Sequence, residues 1–455
     1  MQVPSEFIQT LIGLPGFDAA AFEAVHASSL SVTSVRRNPS RIIKDVDPVR
    51  ELQEQAVPWC SNAYYLSRRP SFTLDPLFHA GAYYVQEASS MFLETVCKQT
   101  VSLEEPLLAL DLCAAPGGKS TLLQSILSAD SLLVSNEVIQ SRVHILKENL
   151  IKWGGSNVVV THNDPRDFQQ CSGLFDLMVV DAPCSGSGLF RRDPEAISEW
   201  SLSNVQLCFQ RQQRILADAW DALKENGVLV YSTCSFSSDE NEGILDWLLT
   251  TMDAESLRIR LEEAWEIEEV QSIKGGWGYR FWPHKVKGEG FFIAAFRKQS
   301  MPAVTRIRSK QSFAASRSEI AGVSKWLRSM DAFELVKQGQ NIAAVPIRWA
   351  TLIQQLMDVL KVRYAGVETG VMAKNDLIPD HALALSHLIS DSIPFVELDR
   401  ETALEYLRKN EIPVMPSQKG WVLVRYEGLN LGWMKHLGNR INNYYPKEYR
   451  ILMSK

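Results

Sequence analysis

Between residues 105 and 235, apolar runs of strand length alternate with segments of helix length: LLALDL (107–112), LLVSNE (132–137), NVVVTHN (157–163), LFDLMVVD (174–181) and NGVLVYSTC (226–234). Runs without polar alternation fit strands covered on both faces, and strands that alternate with helices pair in parallel through crossovers. The pattern predicts a doubly wound, Rossmann-like α/β domain and excludes an all-β or purely helical core. The pair RFWPHK and GFFIAAFRK (280–298) predicts a closing β-hairpin at the edge of that sheet. With 455 residues, 45% of them hydrophobic and 22% charged, the chain has core material for two or three domains and is not compositionally disordered.

The α/β domain is expected over 76–298. Ahead of it, 1–75 mixes short amphipathic stretches with turn signals (RRNPSR, DVDPVR, AVPWCSN) and predicts a small α+β lead-in with no catalytic signature. Residues 297–317 carry six basic and no acidic side chains, and a basic linker is expected over 299–318. A mixed helix and strand domain follows over 319–412, then a C-terminal unit over 413–455. That unit holds seven Lys/Arg against two Glu, a local +5 on a chain whose net charge is −6, with Trp421, Tyr426, Trp433, Tyr444, Tyr445 and Tyr449 interleaved. It offers cations for phosphates and aromatic faces for unpaired bases; an apolar β-core with a solvated basic face explains the same residues.

The start, MQVPSEFIQTLIGLPGFDAA, lacks a basic segment followed by a long apolar one, and no stretch reaches 18 uninterrupted apolar residues. A soluble, cytoplasmic protein with no membrane partner is expected. Seven cysteines without CxxC spacing argue for reduced thiols and against a structural metal, and most should be inert buried hydrophobes.

The first strand ends in DLCAAPGGKST (111–121), which puts small residues and two glycines where a ligand approaches the carboxyl end of a doubly wound sheet. It is neither GxGxxG nor GxxxxGK[ST], and its Pro followed by GGK suits an uncharged or zwitterionic ligand tail better than a pyrophosphate. Glu137 and Asp164 follow the second and third strands, where carboxylates can accept from ribose hydroxyls or an adenine amino group; either alone would read as a loop residue or a helix cap. The fourth strand runs into DAPCSGSGLFRRDPEA (181–196) and the fifth into YSTCSFSSDENE (231–242). Asp181, Cys184 and Cys234 therefore converge on one crevice, and two thiols there point to nucleophilic chemistry.

These motifs, DLCAAPGGKST, DAPCSGSG and YSTCS followed by ENE, with YYVQEASSM (83–91) upstream, resemble the NOL/NOP/Sun family of S-adenosylmethionine-dependent RNA 5-methylcytosine methyltransferases over about residues 60 to 300. Within it the chain is similar to the bacterial branch that modifies small-subunit (16S) ribosomal RNA, whose members carry a PUA-like RNA-binding extension; residues 419–451 resemble that extension. The resemblance implies Cys234 as the nucleophile that adds to carbon 6, Cys184 in product release, Asp181 on ring nitrogen 3 and the exocyclic amine, and Lys119 beside base or cofactor. It further implies that Cys113, Ala114, Ala115, Pro116, Gly117, Gly118 and Lys119 cradle the methionine moiety of S-adenosyl-L-methionine, with Glu137 on the ribose, Asp164 near the adenine and Asp181 closing the set. Arg191 and Arg192 are candidates to grip phosphates, although adjacent arginines are commonly only solvated. The implied partner is ribosomal RNA, free or in the assembled small subunit; oligomeric state carries no signal, and a monomer is compatible. Three alternatives stand beside this reading: a tRNA methyltransferase of the same family, a DNA cytosine methyltransferase with Cys184 as nucleophile, and a non-catalytic RNA-binding ribosome-assembly factor. A dead site would need neither thiol nor an intact cofactor turn.

Overall fold

The computed structural model describes residues 3–28, 32–301, 313–374 and 376–453. Among these, ten strands form a central sheet, numbered here in chain order: β1 Leu108–Asp111, β2 Leu132–Asn136, β3 Val158–Thr161, β4 Phe175–Asp181, β5 Leu223–Thr233, β6 Ala254–Leu257, β7 Glu268–Gln271, β8 Trp277–Phe281, β9 Phe291–Lys298 and β10 Val362–Ala365. Their order is β7-β8-β9-β5-β4-β1-β2-β3-β10, with β6 paired to β9. Strands β1 to β5 run parallel, whereas β9 and β10 join antiparallel to β5 and β3. Alternate residues of the parallel strands feed two cores: Ala109, Leu133, Val158, Leu177 and Val230 on one face, Leu110, Val134, Val159, Met178 and Leu229 on the other. With both faces covered, the strands read as unbroken apolar runs. Helices Gly118–Ile126, Gln140–Trp153 and Leu202–Ala219 make crossovers. The last starts where Ser201 Oγ accepts from the Asn204 backbone N–H.

Two edges differ from expectation. The hairpin β8–β9 forms, but β7 pairs outside it, so it is not the rim of the sheet. On the far side β10, contributed by the C-terminal half, covers β3. His162 N donates to Lys361 O (3.0 Å), and Lys361 N donates to the side chain of Asn163 (2.9 Å). A buried strand such as VVVT cannot be left as an open edge, because its unpaired backbone would recruit another chain.

The lead-in is α+β: helices Ser5–Leu11 and Ala19–Ala27, then a sheet in the order Gln53–Ala56, Ala63–Leu66, Thr33–Arg37, Tyr83–Val85. Its fourth strand lies beyond the boundary expected at 75. Arg36 fastens this sheet to the central one, donating to Thr121 Oγ1 (2.6 Å), Gln86 Oε1 (3.0 Å) and Gly118 O (3.3 Å).

Of the expected basic linker, 302–312 lie outside the described residues. Its flanks are built into the fold: Lys298 Nζ is buried and donates to Trp220 O (2.9 Å), and Arg317 opens the helix Arg317–Ser324, capped by Ser316. Beyond it Phe333–Gln338, Asn341–Pro346, Val367–Ala373 and Asp376–Pro379 form a sheet, and Phe395–Glu397, Gly420–Tyr426, Leu429–His436 and Ile441–Asn443 form another with the helix Arg400–Leu407. The last unit thus draws in residues well before 413. It shares one core with the lead-in, where Val35, Leu77 and Tyr83 pack with Leu404, Val422, Leu431 and Tyr445. Trp433, Tyr426 and Tyr445 are buried, so half of the interleaved aromatics build the β-core rather than a base platform; Tyr444 stays exposed. No described helix is long and apolar enough to cross a membrane.

Candidate active site

Strands β4 and β5 are parallel neighbours with Asp181 opposite Ser232, so the segments that follow them leave the sheet side by side. Cys184 and Cys234 are thereby brought together, Sγ to Sγ 3.2 Å. Gly188 N donates to Cys234 O (2.8 Å), an approach that only glycine permits: a Cβ at 188 would lie 2.4 Å from Gly290 O and 2.7 Å from Cys234 O. Burial and the hydrogen bond to Cys234 push the Cys184 thiol well up, the hydrogen bond being the larger cause. A raised Cys184 thiol in contact with the Cys234 sulfur sets two thiols of one pair apart in role at a single point of the crevice. The other five thiols are held up by burial and have no such neighbour; Cys97 and Cys171 are pushed to about 12.

The loops are fastened by Glu240 and Asn241, which sequence reasoning quoted only as part of a string. The buried Glu240 carboxylate accepts from Ser185 N (2.8 Å), Ser235 Oγ (2.6 Å) and Gln212 Nε2 (3.0 Å). Asn241 accepts from Thr233 Oγ1 (2.7 Å) and donates to Ser235 O (2.8 Å). Glu242 pairs with buried Arg280, whose Nη1 donates to Phe236 O (2.6 Å). The usable signal was three consecutive acid and amide residues just after the serines that follow Cys234. Behind the loops, Phe7 of the first helix packs tilted on Phe190 (5.0 Å) and edge-on to Trp200 (5.1 Å), and Phe22 edge-on to Phe236 (5.3 Å).

Four carboxylates line the strand ends beside the thiols. Asp181 takes Lys119 Nζ at 2.7 Å and Ser232 Oγ at 2.8 Å. Lys119 is no surface lysine: it is 9% exposed and its ammonium lies 5.1 Å from the Phe291 ring centre. Asp111 is fully buried; one oxygen accepts from Ser120 Oγ (2.6 Å), the other has no partner, and burial pushes the carboxyl up to about 7. Glu137 is buried, accepting from Ile139 N (2.8 Å) with Arg142 at 3.5 Å. Asp164 is 38% exposed and accepts from Arg166 N (3.2 Å), so it is a cap that also faces outward.

The turn between Asp111 and Lys119 holds a cis Ala115–Pro116 peptide and Gly117 at φ +113°, a conformation costly for any residue with a Cβ. Arg142 Nη2 donates to Ala115 O (2.5 Å) and Asn149 Nδ2 to Pro116 O (2.8 Å), which clamps the turn between the first two strand ends. The orphan Asp111 oxygen calls for a donor, and the acid set suits a ligand that carries an ammonium, a sulfonium and a ribose diol. S-adenosylmethionine fits this set of acceptors, and 113–119, Glu137, Asp164 and Asp181 are the residues that would hold it.

Arg191 is a correction. Its side chain is packed inward, donating to Gly288 O (3.0 Å) and pairing with Glu289 at 3.4 Å, so it ties the thiol loop to the hairpin and does not reach out to phosphate. Only Arg192 is exposed.

A model of the 16S rRNA methyltransferase RsmB/F family matches residues 99–297, one of the N-terminal domain of 16S rRNA methyltransferase RsmF matches 3–88, and one of the methyltransferase RsmF PUA domain matches 394–451. The chain is 31% identical over 432 residues to ribosomal RNA small subunit methyltransferase F of Aeromonas salmonicida (strain A449), spanning 92% of this chain and 90% of that one. It is 31% identical over 440 residues to the protein of the same name from Aeromonas hydrophila subsp. hydrophila, with the same shares. Among solved structures, a methyltransferase homolog protein from Pyrococcus horikoshii is 29% identical, with a TM-score of 0.52 over 64% of this chain and 94% of that one. The chain therefore belongs to the ribosomal RNA small subunit methyltransferase F family, and is an S-adenosylmethionine-dependent RNA methyltransferase with a C-terminal PUA domain.

Proposed function

We propose that this protein methylates carbon 5 of a cytosine in 16S ribosomal RNA, free or in the small subunit, in the cytoplasm and through a covalent adduct with Cys234. The observation that carries the reading is the 3.2 Å approach of two thiols at the ends of adjacent strands, beside a crevice of carboxylates. Bound S-adenosylmethionine supplies an electrophilic sulfonium methyl. Carbon 5 of cytosine is too weak a nucleophile to take it unaided. The Cys234 thiolate bonds to carbon 6, and the displaced π pair makes carbon 5 nucleophilic toward the methyl, whose bond to sulfur breaks with its pair leaving on the thioether. Asp181, oriented by Lys119 and Ser232, holds the protonated ring nitrogen 3 and the exocyclic amine while charge develops there. Cys184, 3.2 Å from the Cys234 sulfur, passes its own proton to water and takes the carbon 5 proton; that C–H pair re-forms the carbon 5–carbon 6 double bond, the carbon 6–sulfur bond breaks with its pair returning to Cys234, and ring nitrogen 3 gives up its proton.

Cys234→Ala should abolish methyl transfer and the covalent complex with RNA containing 5-fluorocytosine; a complex that survives refutes the assignment. Cys184→Ala should attack but release slowly, so a stalled protein–RNA adduct accumulates. The reverse pattern would make Cys184 the nucleophile, as in a DNA cytosine methyltransferase. Bisulfite sequencing of RNA from a deletion strain should show one 5-methylcytosine missing from 16S rRNA; a loss from tRNA instead would move the substrate. Failure to bind S-adenosylmethionine in calorimetry would favour the assembly-factor reading.

A further inference from the structure

Two clefts on the C-terminal unit meet at Lys409 and Asn410. One, of about 800 Å³, runs between 409–415 and 439–444 and presents Asn410, Met415, Arg440, Asn442 and Tyr444. The other, of about 810 Å³, lies between the end of the helix Arg400–Leu407 and the last turn of the chain, lined by Arg408, Lys447, Arg450 and Leu452. Five cations face the pair of clefts against two acids, Glu405 and Glu411. Glu405 is taken by Arg408 (2.7 Å), and Lys409 spends its ammonium on the carbonyls of Tyr445 (2.5 Å) and Asn443 (3.4 Å). Arg440, Lys447 and Arg450 are exposed and have no carboxylate partner among the described residues, and one Arg408 nitrogen is buried without a hydrogen bond. Lys447 and Arg450 lie close enough to Lys409 to depress its ammonium, after burial and against an opposing pull from Glu448. Free cations gathered on one face make a local positive potential that draws an anion.

The first cleft has a different character. The Tyr444 ring, 40% exposed, leans edge-on against Trp421 (4.4 Å), and Lys435 covers Trp421 at 4.9 Å. Tyr444 thus sits against Trp421 at the mouth of a cleft with amide side chains and an exposed Met415. A ring face beside amides suits a splayed base, and a row of free cations suits successive phosphates. A duplex hides the faces of its bases and cannot use the first cleft; an acidic peptide could use only the second.

We propose that the two clefts form one track for a short single-stranded segment of the RNA substrate, with phosphates over Lys447, Arg450 and Arg440 and a base against Tyr444 and the Asn410 and Asn442 amides. This rests on the ribosomal RNA methyltransferase reading. The test is fluorescence anisotropy of the full-length protein with a labelled, cytosine-free single strand of about twelve nucleotides at about 0.1 M salt, beside a duplex of equal length. Lys447→Ala with Arg450→Ala should weaken single-strand binding roughly tenfold or more and shrink the slope of log affinity against log salt by about 1.4, from ~0.7 per lost contact. Tyr444→Leu, which keeps apolar cover on Trp421, should weaken it about tenfold with the slope unchanged. The duplex should bind worse and ignore Tyr444→Leu. Unchanged S-adenosylmethionine affinity in each variant certifies the fold. Unaltered single-strand affinity in both variants, or an acidic peptide binding as well as RNA, overturns the track. If these variants bind and methylate as the parent does, or if the parent itself does not bind the strand, the track fails and the enzyme stands; loss of methyl transfer to 16S ribosomal RNA by the parent is what would sink the enzymatic reading.

Discussion

Asp111 joins burial to ligand chemistry in one side chain. Its carboxyl is raised from an ordinary 3.8 to about 7, so the folded protein retains a proton that the unfolded chain surrenders between those values. Its contribution to stability is full below about pH 4 and is lost as pH rises through about 7, with a ceiling on the order of 4 kcal/mol. Glu289 and Asp380 are shifted in the same direction, so the informative quantity is a difference. Chemical denaturation of the cofactor-free protein should show less loss of stability between about pH 5 and about pH 8 in Asp111→Asn than in the parent. Two neighbours should separate by kinetics. Glu137→Ala should weaken cofactor affinity by ~1.5–3 kcal/mol with turnover at saturation kept, whereas Asp181→Ala should lower turnover at saturating cofactor. A pure affinity effect in Asp181→Ala would count against its place on the base. The acids and thiols were legible because each sits at a fixed offset from a strand end. Arg191 was not, because its inward turn is decided by Glu289, far along the chain.

The thiol loops depend on elements that carry no chemistry of their own. Parallel pairing of β4 and β5 was readable from two apolar runs, and it alone sets the loops side by side. Their 3.2 Å contact needs more: the Glu240–Asn241 clasp, the Gly188–Gly290 crossing and the aromatic buttress from Phe7 and Phe22. The first two helices gave no catalytic signature, and rightly so, since they act by packing. Gly188→Ala isolates the crossing, because the added methyl would meet two backbone carbonyls that cannot rotate away. The loops should part, with a large loss of 5-fluorocytosine adduct formation and retained S-adenosylmethionine affinity, since the cofactor residues lie on other strand ends. Normal adduct formation in that variant would show that the loops can yield without separating the thiols.

At the scale of the whole molecule, the C-terminal half completes the central sheet and shares a core with the lead-in. Removing 413–455 would strip Val422, Leu431 and Tyr445 from Val35, Leu77 and Tyr83, and so expose the lead-in's own core. Truncation there would mix lost RNA contacts with lost folding, which is why point changes in the clefts are the cleaner probe. Composition could show where positive charge gathers, but not that a strand from beyond the basic stretch would close the central sheet, because that pairing is nonlocal and four residues long. Through it, Lys361 grips both His162 and Asn163, and Asn163 in turn donates to Asp167 (2.8 Å), which steadies the segment that presents Asp164. Asn163→Ala cuts this link without substituting any residue of the cofactor crevice. Two half-buried hydrogen bonds are lost, a cost of about 1–3 kcal/mol to stability. Because Asp164 loses its fixed position, S-adenosylmethionine should bind several-fold more weakly in calorimetry while the Cys234 adduct still forms at saturating cofactor. Unchanged affinity in a variant of lowered stability would mean that β10 only covers the edge of β3 and has no part in holding the cofactor.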